Sequence, residues 1–455
     1  MGHNSFRRRE SGARRCNNRV LRLEPLEPRI ALAAAAPHFL GLVDAALAAY
    51  VKGLSADGSI NRADMINILR KAEQEPGGFV HASELMDLRK IVQDAPVLKM
   101  PDYVAVLAGD VVNRNRANAH YQDKLLGNLA AGDPCTKLKK LTDKWFYGAD
   151  LPSTTYGYTR TLGTLYSSAG PSHRDEKQGD LSDCYLIAAL GSIADNSQKA
   201  IKNMLIYNGD GTWTVRFYYH SKADYVTVDR ELPSDKKTGT LVYDGSGSRC
   251  SDPNNVLWMS LLEKAYVEWN ETGKTERSNA SNKYTTIEYG WPENVFQQAL
   301  GYCSISFLSP SASDARTKLI DSVNKHYAVT ICTNKTVDPS TKLVRNHCYS
   351  VLSYDSATGT FTLYNPWGDH QPNPLTWAQF QANVNDIAAV AYAGLYAEGL
   401  RCRSAVAASN ASMTSVTCTL SAGAGASRAA TDAAIVDWDT WSIHVLPIWP
   451  PSAFR

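Results

Sequence analysis

Cys184 opens a largely apolar run, Tyr185-Leu-Ile-Ala-Ala-Leu-Gly-Ser-Ile-Ala194, and no other feature narrows what this chain can be as much. A run of that kind reads as a buried helix, which puts the cysteine on its first turn. Unpaired backbone N–H groups and the positive dipole end gather there. Both favour thiolate over thiol, and the thiolate is the attacking form. A glutamine, Gln178, stands shortly before it. A cysteine ahead of apolar residues is, taken alone, more often an inert core residue. The rest of the chain decides.

Partners for a nucleophile are found far downstream. His347 opens His-Cys-Tyr-Ser-Val-Leu-Ser-Tyr354, an alternating run that reads as a strand. A second strand, Thr360 to Tyr364, runs into Asn365-Pro-Trp-Gly368. The Asn-Pro bond keeps Asn365 extended and ends that strand. Two neighbouring strands joined by the turn Asp355 to Gly359 would set His347 and Asn365 side by side. In isolation His347 is an ordinary structural histidine, Asn365 a turn residue and Trp367 a core aromatic. Together with Cys184 they carry more weight than any one of them alone.

These segments resemble the calpain family of papain-like cysteine proteases, over roughly Leu138 to Leu400. Lys144-Trp-Phe-Tyr-Gly, Tyr225-Val-Thr-Val-Asp-Arg-Glu-Leu-Pro and Leu257-Trp-Met-Ser-Leu-Leu-Glu-Lys-Ala-Tyr266 carry it further. The last reads as a helix, with apolar residues at 258, 261, 262, 265, 266 and 269. The resemblance implies an α+β, papain-like fold of two subdomains across a cleft: a helical one bearing Cys184 and a β-rich one bearing His347 and Asn365. It implies that Cys184 attacks the scissile carbonyl and that His347 pairs with it and protonates the leaving amine. Asn365 would orient the imidazole. Gln178 would donate to the oxyanion together with the Cys184 N–H, and Trp367 would shield the His–Asn bond. Cys348 has no role in this reading, and Cys348→Ser is expected to leave activity unchanged.

The chain departs from the family pattern in places. Ser182 stands where the family usually has glycine, and Tyr185 where it has tryptophan. Gly170 and Asp175 match the spacing of a calcium site, but Lys222 stands where an acidic ligand is expected. The segment Asp369 to Trp377 replaces an acidic loop that supplies calcium ligands in animal relatives. The chemistry itself needs no cofactor, with calcium expected only as a regulator. An ammonium in place of a ligand would repel a hard cation that wants six to eight oxygens.

Composition bounds the remaining classes. The chain has 455 residues, 44% hydrophobic and 20% charged, with Lys+Arg 47 against Asp+Glu 45 and a net charge of +2. That balance gives no reason for a nucleic-acid partner. No stretch approaches the ~18 uninterrupted apolar residues of a membrane span. Nine cysteines without a C-x-x-C pair suggest mostly unpaired thiols around one reactive group. Protein or peptide substrates are the expected partners. An acyl transferase of the transglutaminase kind and a catalytically weak, calpain-shaped binding module are the alternatives.

Outside the region 137–400, residues 1–36 form an arginine-rich leader with an export-signal character, and residues 401–455 an Ala/Ser-rich tail. An exported or cell-envelope location follows from the leader; a cytoplasmic one is the alternative. Residues 37–136 read as mostly helical with an internal echo. Asp57-Gly-Ser-Ile60 with Asp64 recurs as Gly77-Gly-Phe-Val80 with Glu84. This is the back half of an EF-hand loop without its front half, expected as a degenerate EF-hand-like pair with little calcium affinity.

Overall fold

The computed structural model of the chain describes residues 39–74, 77–301 and 305–390. The leader, the tail and the end of the expected catalytic region lie outside the described residues.

Helix starts are written into the first part of the chain as capping signals. Helices α1 (Ala45–Leu54), α2 (Arg62–Glu73), α3 (Ala82–Gln93) and α4 (Asp102–Val112) follow in order. Asp44 caps α1 by accepting from the Leu47 N–H at 2.6 Å. At α2 the Asn61 side chain accepts from Ala63 N at 2.8 Å, while Asp64 takes the Asn61 N–H at 3.0 Å. Glu84 takes the His81 N–H at 3.2 Å in the same way. The acids that would close an EF-hand loop therefore serve as the third residues of capping boxes. Ile60 and Val80, the repeated β-branched residues, are both fully buried. Their turns do not pair with each other: Ile60 N donates to Leu98 O at 3.0 Å, and Val80 N to Asp133 O at 2.9 Å.

Helix α5 (Cys135–Tyr147) leads into the second part, after a small hairpin of β1 (His120–Tyr121) and β2 (Lys124–Leu125). Strand β3 (Gly157–Arg160) precedes α6 (Cys184–Asn196) and α7 (Gln198–Lys202). A meander follows: β4 (Leu205–Tyr207), β5 (Thr212–Tyr219) and β6 (Lys222–Asp229) form one antiparallel sheet. Strands β7 (Glu231–Asp235) and β8 (Thr240–Leu241) join β3 in another. Helix α8 (Trp258–Glu271) buries all six apolar positions that its sequence periodicity marks. Helix α9 (Pro292–Leu300) closes this part, with proline pre-set for its first turn.

The remaining elements are β9 (Ile305–Leu308), α10 (Ala315–Asn324), β10 (Ala328–Thr333), β11 (Cys348–Asp355), β12 (Thr360–Tyr364), β13 (Leu375–Thr376), α11 (Trp377–Asn383) and β14 (Val384–Val390). The strands make a six-stranded antiparallel sheet in the order β13-β12-β11-β10-β14-β9. Its period-two alternation sorts side chains onto two faces. Val329, Ile331, Tyr349, Val351, Ile387 and Ala389 face one core, shared with Leu319 of α10 and Phe380 of α11. Ala328, Cys332, Cys348, Ala388 and Val390 belong to a larger core that includes α6, α8 and α9. That larger core also takes in Leu47, Ile68, Leu88 and Leu107, so the four N-terminal helices and the nucleophile helix share one hydrophobic interior.

Candidate active site

Helix α6 is apolar on every side and its residues Tyr185 to Ala194 are all buried. Such a helix needs protein around it. It finds the large sheet's small-residue face, where alanines and cysteines let a helix approach. Three side-chain bonds fix the contact. Ser192 Oγ donates to Val329 O at 3.0 Å and accepts from Val329 N at 2.8 Å, and Ser350 Oγ donates to Ala188 O at 2.8 Å. The result sets Cys184, first residue of α6, beside the start of β11. The Cys348 N–H hydrogen-bonds the Cys184 sulfur.

The β11–β12 hairpin supplies the partners. Ser350 lies opposite Tyr364, so the residues just before β11 and just after β12 share one end of the hairpin. There His347 Nε2 meets Asn365 Oδ1 at 2.8 Å, with both residues buried. Asn365 is itself fixed: its N–H donates to Gln371 Oε1 at 2.9 Å, and its Nδ2 to His370 O at 3.3 Å. The Trp367 ring centre stands 4.9 Å from that of His347, with the side chain 37% exposed, so it lies between the imidazole and solvent.

The loop after Asn365 also reaches the Gln178 segment. Gln178 N donates to Pro366 O at 2.9 Å. Gly368 has φ 82°, and a Cβ there would stand 2.7 Å from the Glu176 carbonyl. Only glycine suits both the conformation and the close approach. Cys184, His347, Asn365, Gln178 and Trp367 are thus gathered in one neighbourhood. A groove of about 1140 Å³ runs past it, lined by Gln178, Gly179, Gly245, Tyr364 and Trp367 among others.

Gln178 is placed in a way its sequence position did not suggest. Its Nε2 donates to Leu181 O at 2.7 Å and to Asp183 Oδ1 at 3.3 Å. Its Oε1 is buried without a hydrogen-bond partner. Asp183, the residue before the nucleophile, is fully buried and hydrogen-bonds Glu263 of α8. Glu263 in turn accepts from Asp244 N at 3.2 Å. A chain of buried carboxyl groups therefore stands behind the nucleophile. Sequence reasoning missed Asp183 and Glu263, although each lies inside a segment it had singled out.

Burial governs the charges here. It pushes the Cys184 thiol up to about 12, against hydrogen bonds from Cys348 and Tyr185 that favour thiolate. It pulls His347 down to about 4, against the Asn365 bond that favours imidazolium. Desolvation thus opposes each charged form taken singly, thiolate and imidazolium alike. Burial likewise lifts Asp183 to about 7 and Asp244 to about 6, and holds Glu263 well above the usual carboxylate range.

The residues matching a calcium site do not make up a cation shell. Asp175 Oδ2 accepts from Trp258 Nε1 at 2.8 Å and from Ser172 N at 3.0 Å. The Gly170 carbonyl takes the Ser167 hydroxyl at 3.0 Å. Among the described residues no group of three or more His, Cys, Asp or Glu is placed to hold a metal ion. Both residues instead spend these oxygens on hydrogen bonds within the protein, where calcium would need six to eight oxygens.

Among the described residues one pair of cysteines is an exception to the expectation of mostly unpaired thiols. Cys332 and Cys348 are joined as a disulfide, Cα to Cα 4.2 Å. The pairing follows from strand register, which brings these two residues opposite each other on β10 and β11. Among the described residues Cys135, Cys184 and Cys250 are thiols. Cys16, Cys303, Cys402 and Cys418 lie outside the described residues.

Comparison with known proteins bears on the family. The profile described as calpain family cysteine protease matches residues 160–387. Mouse Calpain-9 is 24% identical over 223 residues, covering 45% of this chain and 30% of the relative. Rat Calpain-13 is 26% identical over 216 residues, covering 44% and 30%. The Calpain-like protease palB of Emericella nidulans is 26% identical over 214 residues, covering 42% and 24%. The chain thus matches less than a third of the length of these relatives. A profile match across half of the chain, laid over helix α6 and the hairpin described above, places this protein in the calpain family of cysteine proteases.

Proposed function

We propose that this chain is a cysteine endopeptidase with a papain-like arrangement of two subdomains, in which Cys184, His347 and Asn365 form the catalytic triad. The observation that carries the reading is the buried His347–Asn365 bond at 2.8 Å, beside a cysteine on the first turn of a buried helix. The Cys184 proton passes to His347, and the sulfur attacks the scissile carbonyl. Transfer from a neutral thiol to a neutral imidazole leaves the net charge of the dry pair unchanged. The tetrahedral oxyanion takes the Cys184 N–H and the Gln178 amide, which must exchange its bond to Leu181 or Asp183 to reach it. The imidazolium then protonates the leaving amine, and water hydrolyses the thioester. Asn365 holds the imidazole and Trp367 limits water around that bond.

The committed Gln178 amide favours, as a second reading, a weakly active module that binds peptides without turning them over. An acyl transferase is less well supported, because Asn365 stands where that chemistry typically uses an aspartate. A peptide-cleavage assay on the full chain separates these, with wild type beside Cys184→Ala, in calcium and in chelator. Cleavage by wild type alone supports the endopeptidase. Equal rates in both buffers accord with the engaged Asp175, and amide transfer to an added amine would point to the transferase. Binding without turnover would leave the module reading.

A further inference from the structure

His347 is held through its backbone as firmly as through its ring. Its N–H donates to Thr333 Oγ1 at 3.0 Å and Thr333 N donates to the His347 carbonyl at 2.9 Å, while the Thr333 hydroxyl is fixed by donating to Val344 O at 2.7 Å. The next residues along, Cys332 and Cys348, carry the disulfide. The bond sits beside an irregularity of the sheet, because the register between β10 and β14 shifts between Cys332 and Thr333. Such a shift bends the strand locally. Cys348 is therefore tied three ways. It joins His347 through the peptide bond and Cys332 through sulfur, and its N–H meets the Cys184 sulfur. Both half-cystines are buried in the core that contains α6.

We propose that the Cys332–Cys348 cystine is a positioning element for catalysis, holding His347 and the Cys348 N–H in register with Cys184, so that the active enzyme carries a reduced Cys184 and an oxidised Cys332–Cys348 pair. The proposal rests on the reading of Cys184 and His347 as the catalytic pair. Its consequence is two opposed redox requirements at one site. A mild reductant keeps Cys184 as a thiol. A strong dithiol reductant delivers two electrons and two protons to the cystine, giving two thiols while the dithiol closes to its own cyclic disulfide. Activity should rise and then fall as reducing power increases.

The test uses the full chain purified without reductant, mapped by mass spectrometry after iodoacetamide treatment. The expected result is a linked Cys332–Cys348 peptide with Cys184 alkylated. The pH dependence of Cys184 alkylation is then compared between wild type and the double variant Cys332→Ser/Cys348→Ser. A thiolate paired with imidazolium alkylates on the acidic side, where a lone thiol does not. The double variant should lose alkylation there at least tenfold, and lose kcat at least tenfold with KM unchanged. A purely structural bridge would lower thermal stability and move neither. An unlinked pair, or a double variant with wild-type profile and kcat, overturns the proposal. Wild type that alkylates as a lone thiol would overturn the catalytic pair itself, and the proposal with it. Should the double variant not fold, titration of wild type with dithiothreitol decides. Loss of kcat as the bridge opens supports the proposal, and unchanged kcat with the bridge open overturns it.

Discussion

The two walls of the proposed active site hold their protons in opposite ways. Behind Cys184, burial lifts Asp183 to about 7 and Asp244 to about 6, with Glu263 higher than the usual carboxylate range. Around His347, burial pulls the imidazole down to about 4. The nucleophile side also buries lysines: Lys144 pairs with Asp150 and, at 2.6 Å, with Glu271, and Lys264 pairs with Asp229 at 2.5 Å. Among the described residues the ion pairs of the histidine side are more open, as with Lys325–Asp321. One wall is a polar network enclosed by helices. The other is a sheet that isolates a single neutral ring. The difference teaches that dryness opposes charge on both sides, lifting the carboxyls of one and lowering the imidazole of the other.

The largest expected effect removes the atom at the centre of the comparison. Cys184→Ala should reduce peptide cleavage by at least about 1,000-fold, as loss of a triad nucleophile does, with an unchanged circular dichroism spectrum. Residual cleavage near wild-type rates would sink the nucleophile assignment. His347→Ala should match it on the opposite wall.

Next comes a change confined to the stability of the nucleophile side. Lys144→Met leaves Asp150 and Glu271 buried without their cation. Breaking a buried pair from one side costs about 3–5 kcal/mol, readable in urea unfolding. The rate per folded molecule should hold. A fall in kcat instead would show that the lysine network reaches the reacting atoms and is not only scaffold.

Gln178→Ala probes the contact between the walls, since Gln178 N also bonds Pro366 O. Loss of one oxyanion donor typically costs about 100- to 1,000-fold in kcat. The resting amide is spent on Leu181 and Asp183, so KM should stay put while kcat falls. A change in KM alone would mean that the amide never leaves its resting bonds.

Much of this arrangement was legible in the sequence, for local reasons. The apolar run after Cys184 could only be a buried helix, and Thr360–Tyr364 is a strand with the bounds its alternation suggested. The short turn at Asp355–Gly359 made the His347–Asn365 meeting a matter of hairpin geometry. What escaped depends on contacts between distant elements. Cys332–Cys348 is set by register across 16 residues, with no spacing motif to announce it. Asp183 and Glu263 are ordinary acids until α8 packs behind α6. The echo of Asp64 and Glu84 was visible, but an acid after a loop looks the same whether it binds a cation or caps a helix. The capping boxes settle it by geometry.

The smallest expected effect separates the walls by pH alone. A carboxyl whose folded pKa is raised contributes stability that is full below its unfolded value and is lost as pH rises through the folded one. For Asp244 and Asp183 that loss runs from their ordinary value of 3.8 up to about 6 and about 7, with Glu263, raised well above 4.5, adding to it. His347 runs the other way: its contribution is present above its ordinary value of 6.5 and is lost as pH falls toward about 4. On the histidine side, Asp386, raised by burial to about 6, adds to the alkaline loss. Glu263→Gln keeps the shape of the nucleophile wall and removes one titrating group. It should flatten the decline in stability that sets in as pH rises above the ordinary glutamate value of 4.5. The opposite contribution of His347, lost as pH falls from 6.5 toward about 4, should persist in the variant. Denaturant unfolding at a series of pH values reads both limbs on the same samples. If both limbs shift together, the carboxyl chain and the imidazole titrate as one system across the cleft, and the contrast between the walls fails.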